Sequence, residues 1–314
     1  MKGRHATLQE GRGGAVGPRQ PCPCGSGRRY KSCHGGPHPG QVYVARPFAG
    51  LPGEADIVAL REIVPAATAP VRLREEALGA GVAERDVLLC SLLPTAAPAL
   101  VRQDGSVWVG LQVQHSFGDP SRDLAAVLEA ALDAEPGTIV GLTDPPGDGA
   151  RLQDLLDDVP LEVSVHDGFD YWISDVEDSD GALHASLEEA NAAARPTARL
   201  AGVQAAYWTD TGGHEYLRWV MTAEEEPLLD ALARLHAARL DVLVEGARLI
   251  GMFRAHGLLV PVWDLPVGAG PAALEEPASG FAVELEQTLA VGGPLTADER
   301  AARHGLTNRQ LTIR

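Results

Sequence analysis

Apolar residues recur along this chain at two spacings, one helical and one suited to strands. Residues 55–64 (ADIVALREIV) carry them at helical spacing and stop at Pro65, which predicts a helix ended by a residue that cannot continue it. Residues 71–73 read as a short strand. Residues 87–93 form an unbroken apolar run closed by Pro94, the pattern of a strand buried on both faces. Cys90 lies inside that run and reads as a small core residue. Residues 99–103 and 107–114 flank Asp104-Gly105, predicting a β-hairpin with a type I′ turn. A helix follows, with Asp119 as N-cap, Pro120 at its first position, and Leu124, Val127, Leu128, Ala131 and Leu132 on one face.

Further on, residues 161–165 and 169–173 flank His166-Asp167-Gly168 and read as a second hairpin. A third runs through residues 200–208, a turn at 209–213, and 215–221. A helix starting at Pro227 then carries Leu228, Leu232 and Leu235 on one face. Residues 258–265 (LLVPVWDL) are apolar and extended, and the internal Pro261 argues for an edge strand or a covered peptide. Residues 268–277 read as a linker and 281–290 as a helix. Thr296-x-x-Glu299 is a capping box, with Gly305 suited to the C′ position of that last helix. The fold class is α+β: antiparallel hairpins packed with helices. Residues 99–134 and 200–240 both run hairpin then helix, which suggests two related halves, 46–150 and 160–290, within a body spanning 46–290. Residues 291–314 are a C-terminal helix and tail.

Composition changes this picture mainly at the N-terminus. Residues 1–40 hold seven Lys/Arg against one acid, a balance of +6; the remainder holds 19 against 42, a balance of −23. Opposite signs on two parts of one chain imply different partners. The acidic body repels nucleic acid, so binding to nucleic acid through the basic head is expected to be weak. Residues 1–20 are Gly-rich, basic and without periodicity, and read as a disordered tail. No apolar run approaches the length of a membrane span, and the N-terminus lacks the apolar stretch of a secretory signal, so the chain reads as cytoplasmic.

The densest chemistry sits in residues 21–35, PCPCGSGRRYKSCHG. Three of the chain's four cysteines fall here. Cys22, Cys24, Cys33 and His34 supply three thiolates and an imidazole, a donor set that fits tetrahedral zinc. His38 is an alternative fourth ligand. Arg28, Arg29 and Lys31 lie between the ligand pairs, offset the net charge of a Zn(Cys)₃His centre and help keep the thiolates ionised. A disulfide is out of place in a cytoplasmic chain, and four protein ligands leave no open position for catalysis. Tyr30 is the segment's only large hydrophobe, so the metal must fold it. The exposed face of such a module is Arg28, Arg29, Tyr30 and Lys31, the expected partner-binding residues. Residues 36–45 read as a linker.

These fifteen residues closely resemble the SEC-C motif, known from the C-terminal tail of the preprotein translocase motor SecA. The resemblance implies one structural zinc on Cys22, Cys24, Cys33 and His34. In SecA the motif is implicated in binding the chaperone SecB and the ribosome, so it implies a protein or ribosomal surface as partner. It names a module and not an activity. The motor itself is excluded: the only lysines, Lys2 and Lys31, stand in no Gly-Lys-Ser/Thr sequence, so there is no P-loop. The rest of the chain, including LQVQHSFGDPSRDL (111–124) and MFRAHGLLVPVWDLP (252–266), resembles a bacterial domain-of-unknown-function family that carries SEC-C at its N-terminus.

Within the body, His115, Ser116 and Asp119 are close in sequence but have no nucleophile-elbow context. The start of the helix at Pro120-Ser121-Arg122 is a weaker candidate for holding an anion. Asp175, Glu177, Asp178 and Asp180 form an acidic loop that fails the EF-hand pattern. Arg254, His256, Trp263 and Asp264 form a polar-aromatic group that reads as packing. The expected function is therefore a non-enzymatic SEC-C adaptor linked to a ribosome, nascent chain or chaperone. The alternative is an unrecognised hydrolase or transferase with SEC-C as a targeting tag. Native mass spectrometry of the full chain should find one zinc per chain, lost on chelation and absent from a Cys22→Ser, Cys24→Ser variant.

Overall fold

The computed structural model describes Arg29 and residues 43–113, 115–173 and 182–308. The chain divides between Tyr43 and Val44 into two units, and the second, Val44–Arg314, is an α+β fold with two mostly antiparallel sheets. Residues 55–64, read as a helix, lie in α1 (Glu54–Glu62) and its C-terminal end, and every residue from Glu54 to Leu60 is buried. A helix buried all round belongs to the middle of a fold.

The first sheet contains β1 (Ala67–Val71), β2 (Val87–Cys90), β3 (Ala99–Val101), β4 (Val107–Gly110), β5 (Ile139–Val140) and β6 (Ser164–Val165), in the order β5-β3-β4-β2-β1-β6. Two short helical turns, α2 (Glu75–Leu78) and α3 (Ala80–Ala83), connect β1 to β2. Strand β2 is buried and Cys90 lies in the core, as its apolar run predicts. β3 and β4 form the expected hairpin, and β4 folds back beside β2 as a parallel neighbour. The turn differs from the prediction. Only Gly105 has positive φ, Arg102 N–H donates to Ser106 O, and Gly105 N–H donates to Arg102 O. This is a three-residue loop with glycine in the left-handed position rather than a type I′ turn. Asp104 instead accepts from the Ser106 N–H and hydroxyl. Gly110 ends β4 where a Cβ would lie 2.5 Å from the Ala97 carbonyl, so no side chain fits there.

α4 (Pro120–Leu132) follows, with Asp119 as N-cap and the five predicted core positions buried. A short turn α5 (Leu152–Leu155) leads to β6. The hairpin expected around His166-Asp167-Gly168 does not form. β6 pairs with β1, and residues 170–173 form a 3-10 turn whose Tyr171 and Trp172 both donate to the Leu92 carbonyl. Two aromatic side chains seeking one carbonyl outcompete a strand there. This turn and α6 (Ala182–Ala193) bring Phe169, Trp172 and Leu187 together with Ala66.

The second sheet contains β7 (Thr197–Arg199), β8 (Ala206–Asp210), β9 (Glu215–Trp219), β10 (Arg248–Ala255) and β11 (Leu258–Leu265), in the order β10-β11-β9-β8-β7. The helix α7 (Glu225–Ala237) begins two residues before the predicted start, with Pro227 in its first turn, where a missing N–H costs nothing. α8 (Glu275–Leu289) likewise absorbs the end of the expected linker. α9 (Ala297–Asn308) opens on the predicted capping box, with Glu299 accepting from Thr296 N–H at 2.6 Å. Gly305 lies inside this helix and not at its C′ position.

β11 is an interior strand, against the edge position expected from Pro261. The register with β9 places Pro261 opposite Trp219, and the ladder breaks there: pairing runs up to Val262↔Arg218 and resumes as an isolated bridge at Met221↔Leu259. The proline sits where its absent N–H would have been used, so the strand tolerates it at the cost of one rung. The β10–β11 connection, His256-Gly257, has positive φ at both residues (47° and 81°) and is the I′-type hairpin of this chain's described residues.

One large core takes residues from α1 and α4, from the first sheet (Leu89, Val109) and from the second (Tyr207, Val262). A second core fills the other face of the second sheet, under α7 and α8, with Trp219, Trp263 and Phe281 in mutual ring contact. The first core contains a charged interaction. Asp56 accepts two hydrogen bonds from Arg199 (3.0 and 3.2 Å) and one from the buried Tyr207 hydroxyl (2.7 Å). Two residues earlier, Glu54 holds Arg46 through two bonds (2.6 and 2.9 Å), and Arg46 also reaches Glu224. Truncating one member of a buried, hydrogen-bonded pair strands its partner. Asp56→Ala is therefore expected to lower unfolding free energy by about 3–5 kcal/mol in urea titrations, whereas Asp230→Ala, which breaks a half-exposed pair with Arg303, changes it by about 1 kcal/mol or less.

Candidate functional site

Of the residues singled out in the Cys-rich segment, Arg29 alone is described, and it is exposed. Cys22, Cys24, Cys33, His34, Arg28, Tyr30 and Lys31, and the alternative ligand His38, lie outside the described residues. So do the acidic positions Asp175, Glu177, Asp178 and Asp180. Among the described residues no group of three or more His, Cys, Asp or Glu is placed to hold a metal ion.

In the body, the most concentrated polar site lies where β4 hands over to α4. Gln112 donates to the carbonyls of Leu60 (2.8 Å) and Val64 (2.9 Å), which caps the C-terminal end of α1. Ser116 donates its hydroxyl to Asp123 Oδ2 at 2.6 Å, and Phe117 N–H donates to the same oxygen at 2.8 Å. The carboxylate that meets Ser116 is thus Asp123, one helical turn beyond the Asp119 suggested by proximity in sequence. Asp119 is occupied twice, as the cap of α4 and in an ion pair with Arg151 at 2.9 Å. No hydrogen bond joins His115 to Ser116 or to Asp119. With no imidazole between hydroxyl and carboxylate, this arrangement is not a Ser-His-Asp triad.

Arg61, near the end of α1, and Asp123 line one small apolar slot together with His115 and Pro120. They form no direct ion pair; Arg61 donates to the Leu111 carbonyl instead. Burial lowers the Arg61 pKa, and burial raises that of Asp123 against the opposing pull of Ser116 and Phe117 N–H. Asp123 was invisible to sequence reasoning because a single Asp on the fourth position of a helix looks like a solvated charge. The usable signal was its i+7 distance from Ser116 across the loop.

The other sequence candidates are dispersed. The Pro120-Ser121-Arg122 start is filled internally: Ser121 donates to Gln153 (2.6 Å) and Arg122 to the Gly149 carbonyl. His166 contacts the Thr68 hydroxyl at 2.9 Å and stacks on Tyr171, and burial lowers its pKa. Arg254 pairs with Glu225, His256 with Glu62 at 2.8 Å, and Asp264 with Arg248, while Trp263 donates to the Asp241 carbonyl. Each is packing or a local ion pair, as expected for that group.

A family model described as a family of unknown function (DUF5926) matches residues 47–314, and the chain belongs to that family. A SEC-C motif matches residues 19–36. No curated protein and no solved structure matches the chain. Among the described residues no helix is long and apolar enough to cross a membrane.

The raised pKa of Asp123 fixes a sign for pH dependence. The folded state holds the Asp123 proton more tightly than the unfolded chain, so this group makes stability fall as pH rises from the ordinary Asp value to the raised one. In urea titrations across that acidic window, wild type should lose stability relative to Asp123→Asn as pH rises, and a constant difference would exclude Asp123 as the cause.

Proposed function

We propose that this protein is a zinc-binding SEC-C adaptor without catalytic activity, acting in the cytoplasm and addressing its α+β body to a protein or ribosomal surface. The observation that carries the reading is the SEC-C motif at residues 19–36, set in a segment of charge +6 on a chain whose remainder carries −23. The donor set fits the metal: Cys22, Cys24, Cys33 and His34 provide four ligands of the type and number that a closed structural zinc site uses. When bound, zinc supplies folding free energy to a segment with almost no apolar core. Arg28, Arg29, Tyr30 and Lys31 would then present three cations and one aromatic ring to the partner. Such a face suits an acidic protein surface or ribosomal phosphate, with the acidic body opposing extended contact with nucleic acid. A reducing compartment is required to keep three clustered thiols as ligands. The domain plan is a basic tail at 1–20, the zinc module at 21–35, a linker at 36–45, the body at 46–290 and a terminal helix and tail at 291–314.

The polar groups of the body support a binding role over catalysis. Glu54, Asp56, Asp119 and Glu215 are each engaged by fixed donors of the fold and serve to hold it together. The test is co-sedimentation with ribosomes, and pull-down of a SecB-type chaperone, using the intact chain and the Cys22→Ser, Cys24→Ser variant. The intact chain should associate and the variant should not, with the thermal midpoint of the body unchanged. Equal association of both, or turnover by the body in hydrolase and transferase screens, would overturn the reading.

A further inference from the structure

The face of the second sheet that looks toward α1 carries a cation the fold does not use. Side chains alternate along β9: Leu217 and Trp219 enter the core under α7 and α8, so Tyr216 and Arg218 lie on the opposite face, where Tyr216 packs against the first core. Arg218 stands in the middle strand, paired across to Tyr207 on β8 and Val262 on β11. It is half-buried, and burial lowers its pKa. Several other arginines of the body are committed, Arg46, Arg199, Arg254 and Arg303 to carboxylates and Arg74 and Arg85 to carbonyls, while Arg72, Arg195 and Arg239 are exposed to water. Among the described residues Arg218 has no hydrogen bond and no ion pair; its guanidinium carbon lies over the Tyr216 ring, 5.9 Å from the ring centroid. The Tyr216 hydroxyl also lacks a hydrogen-bond partner among the described residues, and His214 stacks on its ring. The nearby carboxylate on this face, Asp264, is engaged by Arg248 at 2.7 Å and lies 3.9 Å from His214.

We propose that Arg218 and Tyr216 form a binding site for the oxyanion of a small molecule, a carboxylate or phosphate group. A guanidinium offers five N–H donors in a planar fork and no acceptor, and a phenol adds one O–H. Partial desolvation of such a cation is a cost that no carboxylate among the described residues offsets. A bidentate oxyanion offsets it through charge-assisted hydrogen bonds. The net charge of −17 repels anions at long range, so selection must come from contact geometry and not from the overall field. That favours a forked oxyanion over a spherical halide. The site is independent of the zinc module and stands or falls separately from the adaptor reading.

The test uses the full chain, titrated with phosphate, acetate and chloride at constant ionic strength. The Arg218 Nε–H resonance and the thermal midpoint are followed. Phosphate or acetate should shift both saturably and chloride should not; which of the two acts identifies the oxyanion. Arg218→Met should abolish the effect. If that variant fails to fold, Tyr216→Phe keeps the guanidinium and removes one donor, and should weaken binding by about tenfold. No saturable shift with either oxyanion, an equal shift with chloride, or full binding by a folded Arg218→Met would overturn the proposal. In that case Arg218 only lays its stem on the sheet and carries its head to water.

Discussion

The bond between α1 and the second sheet is the constraint on which the body depends. α1 is buried along most of its length, yet its first turn carries Glu54 and Asp56. Two carboxylates cannot enter a core without partners, because the loss of hydration costs several kcal/mol per ion. Each finds an arginine fork, and Asp56 also takes the Tyr207 hydroxyl. The helix N-terminus adds a favourable partial charge. Arg199 and Tyr207 come from β7 and β8, so the position of the second sheet is set relative to a helix that also belongs to the first sheet's core. Apolar packing alone would let two sheets slide over a helix. A bidentate pair with a third donor admits one register.

The same economy explains why the sequence's polar candidates fail to assemble into a reaction centre. Gln112 closes α1, Asp119 holds Arg151, and Ser121 with Gln153 pins the loop around Pro47 and Ala49. These side chains position backbone segments that lack secondary structure. Arg218 and Tyr216 stand apart because they lie on the same central sheet face and their polar groups make no hydrogen bond among the described residues. The family match over residues 47–314 imports no activity, so the physical contrast between used and unused polar groups is the guide to function in this body.

Much of the local structure was legible in the chain. The helix at 120–132 was specified by its cap, its proline and five apolar positions, and it forms as read. The capping box at Thr296 and the burial of Cys90 followed equally from local chemistry. The structure departs from the local pattern where a further side-chain bond decides the outcome. Asp104-Gly105 reads as a type I′ turn, yet the Ser106 bonds to Asp104 select a longer loop, and the I′-type geometry goes to His256-Gly257. The segment at 169–173 reads as the second strand of a hairpin, but Tyr171 and Trp172 both donate to the Leu92 carbonyl from a 3-10 turn.

What the sequence determined by itself was short-range: the apolar spacing of each element, its caps, the sign of charge on each part of the chain, and a cluster of three cysteines and a histidine within thirteen positions. These depend on neighbours a few residues apart, and the string of residues shows them directly. The tertiary structure alone decided that Pro261 stands inside a sheet, at the one rung that β9 leaves open. It also decided that Asp123 and not Asp119 meets Ser116, that Asp56 meets Arg199, and that Arg218 meets no carboxylate among the described residues. Pairing across more than a hundred positions depends on where the sheets settle, and that is set by the sum of many burial and desolvation terms rather than by any local pattern.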